Sequence, residues 1–232
     1  VLIKCCAFLP AKSDRHFSMD ILKEILNLSS LTCLQQSVMN FGILMVQGLV
    51  NSFGSVVMAA FAAAVKIDTF SYLPVQDFGN AYSTFVAQNF GAKKYDRIRS
   101  GTKTAFFISG IFSIIISVSV FMFASPLMKI FIDASETQVI AVGVHYLRIE
   151  GAFYIGIGFL FLLYGYYRAI KKAGMSVILT VISLGTRVLL AYILSAIDGI
   201  GVTGIWLAIP IGWVLADVTG LVYLKIINSI CK

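Results

Sequence analysis

Long uncharged stretches alternate with short polar connections along this chain. Between Ile25 and Val65, forty-one consecutive residues carry no charge. One helix needs about 20 residues to cross the hydrocarbon core of a bilayer, so this stretch must turn back. Glycine and small polar residues at 51–55 mark the turn. The pattern predicts six membrane-spanning helices, at 28–51, 56–89, 104–128, 139–167, 175–196 and 202–225.

Two of these spans carry helix-disturbing residues. The second span would be about 50 Å long at the rise of an α-helix, which exceeds the hydrocarbon thickness. Pro74 lies inside it and predicts a kink, because proline removes an amide donor. Four of the glycines in the fourth span are expected to be helix contacts rather than breaks. They are Gly151, Gly156, Gly158 and Gly165.

The cations gather on one side of the predicted bundle, which we call the basic side. Connections on the opposite side carry only Lys129. Because loop cations are retained in the cytoplasm, this asymmetry predicts a multi-pass protein with both ends cytoplasmic. The clusters on the basic side hold 13 of the 18 Lys and Arg residues: Lys12, Arg15 and Lys23; Lys93, Lys94, Arg97, Arg99 and Lys103; Arg168, Lys171 and Lys172; Lys225 and Lys232.

Composition excludes a water-soluble domain, since 59% of residues are hydrophobic and only 12% are charged. The net charge of +7 belongs to short loops beside apolar spans, where anionic headgroups attract it. Membrane lipid is therefore an expected partner, and nucleic acid is not. Neither the cysteines nor the histidines have the spacing of metal ligands, so no metal or other cofactor is predicted. These residues are Cys5, Cys6, Cys33, Cys231, His16 and His145.

Several ionisable residues fall inside the predicted spans. An isolated charge at the bilayer centre costs at least about 2.5 kcal/mol, so each needs a partner or a wet cavity. Counting along the helices places four of them near the midplane: Asp68, Glu150, Arg187 and Asp217. The full set is Lys66, Asp68, Asp77, Arg148, Glu150, Arg187 and Asp217.

Arg187 and Asp217 lie at similar depth on neighbouring spans, about 12 to 18 Å from the basic side. We therefore expect a structural ion pair between them, because buried ions need partners. Asp68 has the stronger functional claim. It precedes Pro74 by about one and a half turns, where loosened backbone can line water.

An uncharged polar stripe runs along the first span. Gln36, Asn40 and Gln47 recur at i, i+4 and i+11, which places them on one helical face. Amides pair between membrane helices as part of packing, and this interpretation stays open. The alternative is that the stripe joins Asp68 in lining a cavity for a polar or cationic solute.

Residues 80–97 read N-A-Y-S-T-F-V-A-Q-N-F-G-A-K-K-Y-D-R. This segment resembles the helix-to-loop signature of the multidrug and toxic compound extrusion (MATE) transporters. We expect Gly91 to end the helix in a left-handed conformation. Residues 50–54 and 166–169 are similar to other parts of that family, and 204–213 resembles its bacterial DinF-like branch.

The resemblance implies an all-α integral membrane fold and no enzymatic activity. Residues 21–232 would form the C-terminal six-helix lobe of a twelve-helix transporter, and 1–20 the end of a preceding span and the linker between lobes. The family implies efflux of small amphiphilic or cationic substrates across a bacterial inner membrane, driven by H⁺ or Na⁺ influx. A missing N-terminal six-helix lobe would be the partner. Some members carry carboxylates in the second lobe at positions where this chain has apolar or amide residues, around Met39 and Gly156. No ion site is therefore transferred from the family.

Two other functions stay open. One is a flippase for lipid-linked intermediates, built on a related fold. The other is an intramembrane enzyme, which would need a positioned acid, base or metal cluster. The scattered carboxylates and two histidines of this sequence do not predict such a cluster.

Overall fold

The computed structural model describes residues 18–230. Of the segment 1–20, predicted as the end of a preceding span and a linker, residues 1–17 lie outside the described residues, with Cys5, Cys6 and His16, as do Cys231 and Lys232. Met19 and Asp20 already belong to the first helix. Within residues 18–230 seven helices follow one another: α1 (Met19–Asn51), α2 (Ser55–Gly91), α3 (Tyr95–Met128), α4 (Thr137–Gly151), α5 (Tyr154–Ala169), α6 (Ala173–Ser195) and α7 (Val202–Ile230).

Five of these helices, α1, α2, α3, α6 and α7, are long and apolar enough to cross a membrane. The sixth span is a bent pair, in which α4 and α5 meet at 53°. The prediction of an all-α membrane fold with six spans is confirmed.

The break in the fourth span contradicts one expectation about its glycines. Gly151 is the last residue of α4, and Phe153 leaves helical geometry with φ −113° and ψ 15°. Glycine costs about 1 kcal/mol in a helix interior, so the helix stops there at little loss. Gly158 and Gly165 do mark contacts. A Cβ on Gly158 would lie 2.6 Å from the hydroxyl of Ser113.

The prolines inside α2 and α3 differ in their effect on the backbone. Helix α2 runs through Pro74 as one element of 37 residues. The non-helical residue is instead Phe123 in α3, with φ −99° and ψ 15°, three positions before Pro126. Pro126 cannot donate a backbone hydrogen bond to the carbonyl of Met122, and the turn before it is disturbed.

The end of α2 also differs from the prediction. Gly91 is the last residue of the helix and has no positive φ, whereas Lys93 adopts φ 55°. The amide of Lys94 donates to the carbonyl of Asn89 at 2.9 Å, which closes the turn. Lys171 repeats the same conformation with φ 62° after α5. Lysine rather than glycine therefore occupies the left-handed position at both turns.

Helix α5 is the centre of the lobe. Residues 160–167 are all buried, so the helix has no lipid-facing side. It packs against α2, α3, α6 and α7, and α1 lies on α6. The hydroxyl of Tyr167 donates to the carbonyl of Gly220 at 2.6 Å, and that of Ser83 donates to the carbonyl of Gly165 at 2.9 Å.

Candidate functional site

Two carboxylic side chains meet inside the lobe. Asp68 of α2 is 3% exposed and Glu150, near the end of α4, is 4% exposed. Their carboxyl groups interact with each other. The hydroxyl of Tyr154 donates to Oδ1 of Asp68, and the side chain of Tyr146 interacts with both acids. With Arg187, described next, these residues form what we call the carboxyl cluster.

Arg187 of α6 supplies the positive charge of the cluster. Its charge acts on both Asp68 and Glu150. The Nε atom of Arg187, Oδ2 of Asp68 and Oε2 of Glu150 are buried and have no hydrogen-bond partner among the described residues. Two carboxylates and one guanidinium leave a formal charge of minus one when both acids are ionised. The cluster therefore has hydrogen-bonding capacity and negative charge to spare.

The predicted ion pair between Arg187 and Asp217 is wrong. Among residues 18–230 the ion pair within 4 Å joins Lys171 to Glu24, at 2.5 Å. Asp217 faces α5 instead, where a Cβ on Gly156 would lie 3.6 Å from its Oδ2. Arg187 packs at the level of Gly212, where a Cβ would lie 3.5 Å from the Cβ of Arg187. Gly212 lies five residues before Asp217, about 7.5 Å along α7, so the two side chains differ in depth.

Three aromatic rings pack on one another beside the carboxyl cluster, which they meet through Tyr146. Phe61 and Trp206 stack with centroids 5.5 Å apart and planes 9° apart. Tyr146 meets Trp206 edge-on at 4.8 Å. All three are buried, and Phe61 and Trp206 lie near the starts of α2 and α7. We call these rings the aromatic lid.

Sequence reasoning missed the tyrosines of the cluster, although a signal was present. Tyr146, Glu150 and Tyr154 are spaced by four residues, which places them on one face of a continuous helix. The break between α4 and α5 falls between the second and third of them, and the hydroxyl of Tyr154 still reaches Asp68. Nothing comparable pointed to Trp206.

The other predicted site residues lie away from the cluster. Gln36 and Asn40 are exposed on α1, Gln47 is half-buried there, and Asp77 is exposed on α2. No hydrogen bond within the described part of the chain joins the α1 amides to Asp68. The structure therefore separates the buried acids from the polar stripe.

Comparisons with known proteins show which family the chain belongs to. The MatE family model matches residues 31–193, which is more than half of the chain. This chain belongs to the MATE family. The family is one of multidrug transporters rather than enzymes, in agreement with the prediction.

Relatives of the MATE chain include two probable multidrug resistance proteins. YpnP of Bacillus subtilis is 29% identical over 203 residues, covering 87% of this chain and 44% of the relative. NorM of Thermotoga maritima is 23% identical over 186 residues, covering 80% of this chain and 40% of the relative. The MATE chain thus spans less than half the length of either relative.

Solved structures agree with the fold of the MATE chain. A MOP superfamily transporter from Pyrococcus furiosus superposes with a TM-score of 0.88 at 21% identity, over 94% of this chain and 49% of that one. A MATE transporter of Vibrio cholerae superposes with a TM-score of 0.88 at 19% identity, over 98% of this chain and 52% of that one. The lobe therefore has the fold of half a transporter.

Proposed function

We propose that this chain is the C-terminal lobe of an antiporter that expels small amphiphilic or cationic compounds in exchange for an entering monovalent cation. The observation that supports this function is the carboxyl cluster. A buried pair of acids is costly to retain, and in a transporter such groups mark the path of ions or protons. Its basic side would face the cytoplasm of a bacterium, as the loop charges predict.

The charge of the cluster favours a single bound cation. Asp68 and Glu150 repel each other when both are ionised away from water, and Arg187 compensates only one of them. One added positive charge makes the cluster neutral. Transport can therefore alternate between two states of the cluster. In one state it is neutral and holds the coupling cation or a cationic substrate, and in the other it is negatively charged because the cation has left.

A proton fits this cluster better than sodium does. Two carboxyl groups can hydrogen-bond to each other only when one of them carries a proton. A metal cation would need several oxygen ligands placed around it, whereas a proton needs only one carboxyl oxygen. We therefore assign the coupling ion as H⁺.

The polar face of α1 supports the proposal that a second lobe packs against it. Gln36 and Asn40 are exposed beside apolar side chains such as Phe41 and Leu44. Exposed amides have no hydrogen-bond partner in lipid tails, so this face needs a polar surface opposite it. We assign that surface to an N-terminal six-helix lobe, with the substrate path between the two. A lone lobe would lack half of that path.

The test uses the full-length transporter in everted membrane vesicles, with a fluorescent cationic dye as substrate. Asp68→Asn and Glu150→Gln keep the shape of each side chain and remove its charge. We expect each to reduce dye efflux driven by a pH gradient by at least about tenfold. Glu136→Gln is the matched control, because Glu136 is exposed and its side chain caps nothing.

The same vesicles separate the remaining possibilities. Efflux that survives collapse of the pH gradient but follows a sodium gradient would contradict the assignment of H⁺. Full efflux by the Asp68→Asn, Glu150→Gln double variant would contradict the role of the cluster. Movement of a lipid-linked intermediate, with no efflux of any tested cation, would identify the protein as a flippase.

A further inference from the structure

A groove runs between α2 and α3 in the half of the lobe nearest the basic side. It has a cavity volume of about 500 Å³ and opens toward the surface of the lobe. A second cavity of about 230 Å³ continues it toward the middle of the lobe, between Pro74 and Phe112. Phe78 and Ile108 line both cavities, so the two form one groove. Its other principal walls are Ala81, Phe85, Gly101 and Thr104.

The groove is fixed by packing between the two helices. At Gly101 a Cβ would collide with the ring of Phe85, so only glycine lets that ring lie flat against α3. At the same level the hydroxyls of Tyr82 and Thr102 are hydrogen-bonded at 2.7 Å. These contacts hold α2 and α3 together beside the groove and keep its walls in place.

One end of the groove is positively charged. Arg97 lines it there, and residues 93–103 carry five cations against the single acid Asp96. Arg97 is exposed and forms no ion pair within residues 18–230. A guanidinium in this position matches a phosphate group, to which it can donate two parallel hydrogen bonds.

The rest of the groove is apolar and has the length of a lipid tail. From Arg97 to Phe112 the helix rises about 22 Å. One leaflet of the hydrocarbon core is about 15 Å thick, so the groove reaches from headgroup height to the bilayer middle. Phe107 and Ile111, which flank it on α3, are exposed and apolar, as expected of a lipid-facing surface.

We infer that this groove binds one anionic phospholipid from the leaflet on the basic side. The phosphate lies on Arg97, and one acyl chain lies along Phe85, Phe78 and Phe112. A soluble anion would not fill the apolar part of the groove. A cationic solute would be repelled by the positive charge of Arg97. This site is separate from the carboxyl cluster and does not depend on the transport cycle proposed above.

Native mass spectrometry of the full-length protein in detergent tests the inference, with phosphatidylglycerol and phosphatidylcholine offered in equal amounts. We expect one retained phosphatidylglycerol per protein. Arg97→Ala should reduce its occupancy about tenfold, the effect of roughly 1.4 kcal/mol. Arg99→Ala removes the same charge from the same helix but lies off the groove, so it should leave occupancy unchanged.

Filling variants test the apolar part of the site. Ala81→Trp and Thr104→Phe start from exposed positions on opposite walls, and each should displace the lipid while preserving the helical circular dichroism spectrum. Ala87→Trp, exposed on the same helix as Ala81 but outside the groove, is the control. If either filled groove still retains the lipid, the acyl chain does not lie there.

Three results of the binding experiment would overturn the inference. If Arg97→Ala and Arg99→Ala lower phosphatidylglycerol occupancy equally, the basic loop attracts the lipid diffusely and not through Arg97. If phosphatidylcholine is retained as well as phosphatidylglycerol, the contact with Arg97 does not select lipids with a net negative charge. Displacement of the bound lipid by millimolar inorganic phosphate would show an anion site rather than a lipid site.

Discussion

Replacing Gly165 with alanine should force apart the two helices at the centre of the lobe. A Cβ there would lie 2.6 Å from the carbonyl oxygen of Gly79, whereas ordinary contact begins at 3.4 Å. Helices α2 and α5 would therefore have to separate by about 0.8 Å. Overpacking of this kind costs about 1–3 kcal/mol, of which alanine recovers up to about 1 kcal/mol by its helix propensity. With the full gain from helix propensity we expect a net loss of up to about 2 kcal/mol, and a loss of about 1–3 kcal/mol relative to a glycine-to-alanine change at an uncrowded position.

The assay follows helical circular dichroism of the full-length protein as sodium dodecyl sulfate replaces a mild detergent. Gly185→Ala is the matched control, because a Cβ on Gly185 meets nothing within 4 Å and φ is not positive. That variant should gain up to about 1 kcal/mol. If Gly165→Ala unfolds at the same detergent composition as Gly185→Ala, the close approach of α2 and α5 does not limit packing.

Three further changes can be measured in the same titration. Tyr154→Phe leaves a buried oxygen of Asp68 without its donor and should cost about 1–3 kcal/mol; unchanged stability would mean that the hydroxyl contributes nothing. Lys93→Gly relieves the left-handed backbone and should gain about 1 kcal/mol, whereas Lys94→Gly, at negative φ, should not. Trp206→Ala removes the largest fully buried side chain and should cost about 3–5 kcal/mol; a loss below 1 kcal/mol would show that the aromatic lid is loosely packed.

The number of spans was predictable because membrane thickness sets a length that charge-free stretches can be measured against. The turn at 51–55 and the helices on either side of it illustrate this, since α1 ends at Asn51 and α2 begins at Ser55. The break in the fourth span was not predictable in the same way. Its glycines look alike in sequence, and Gly151 ends a helix although it also packs closely, since a Cβ there would lie 3.2 Å from Val120.

The sequence predicted which site residues lie near the midplane, but it did not predict which of them contact one another. Asp68, Glu150 and Arg187 were placed near the midplane, and the structure brings them together. The pairing of Arg187 with Asp217 failed because counting residues from the span ends does not fix the register between two packed helices, and the contacts place Arg187 opposite Gly212. The i, i+4 spacing of Tyr146 and Tyr154 around Glu150 was the one local signal for the hydroxyls.

The break between α4 and α5 gives the lobe a mechanical lever. Helix α5 is about 24 Å long at helical rise, so a change of about 10° in the bend would swing its far end by about 4 Å. Glu150 and Tyr154 sit on opposite sides of the pivot, and Arg168 and Lys171 ride at the tip. A charge gained or lost by Glu150 would thus act directly at the break, beside the hydrogen bond from Tyr154 to Asp68.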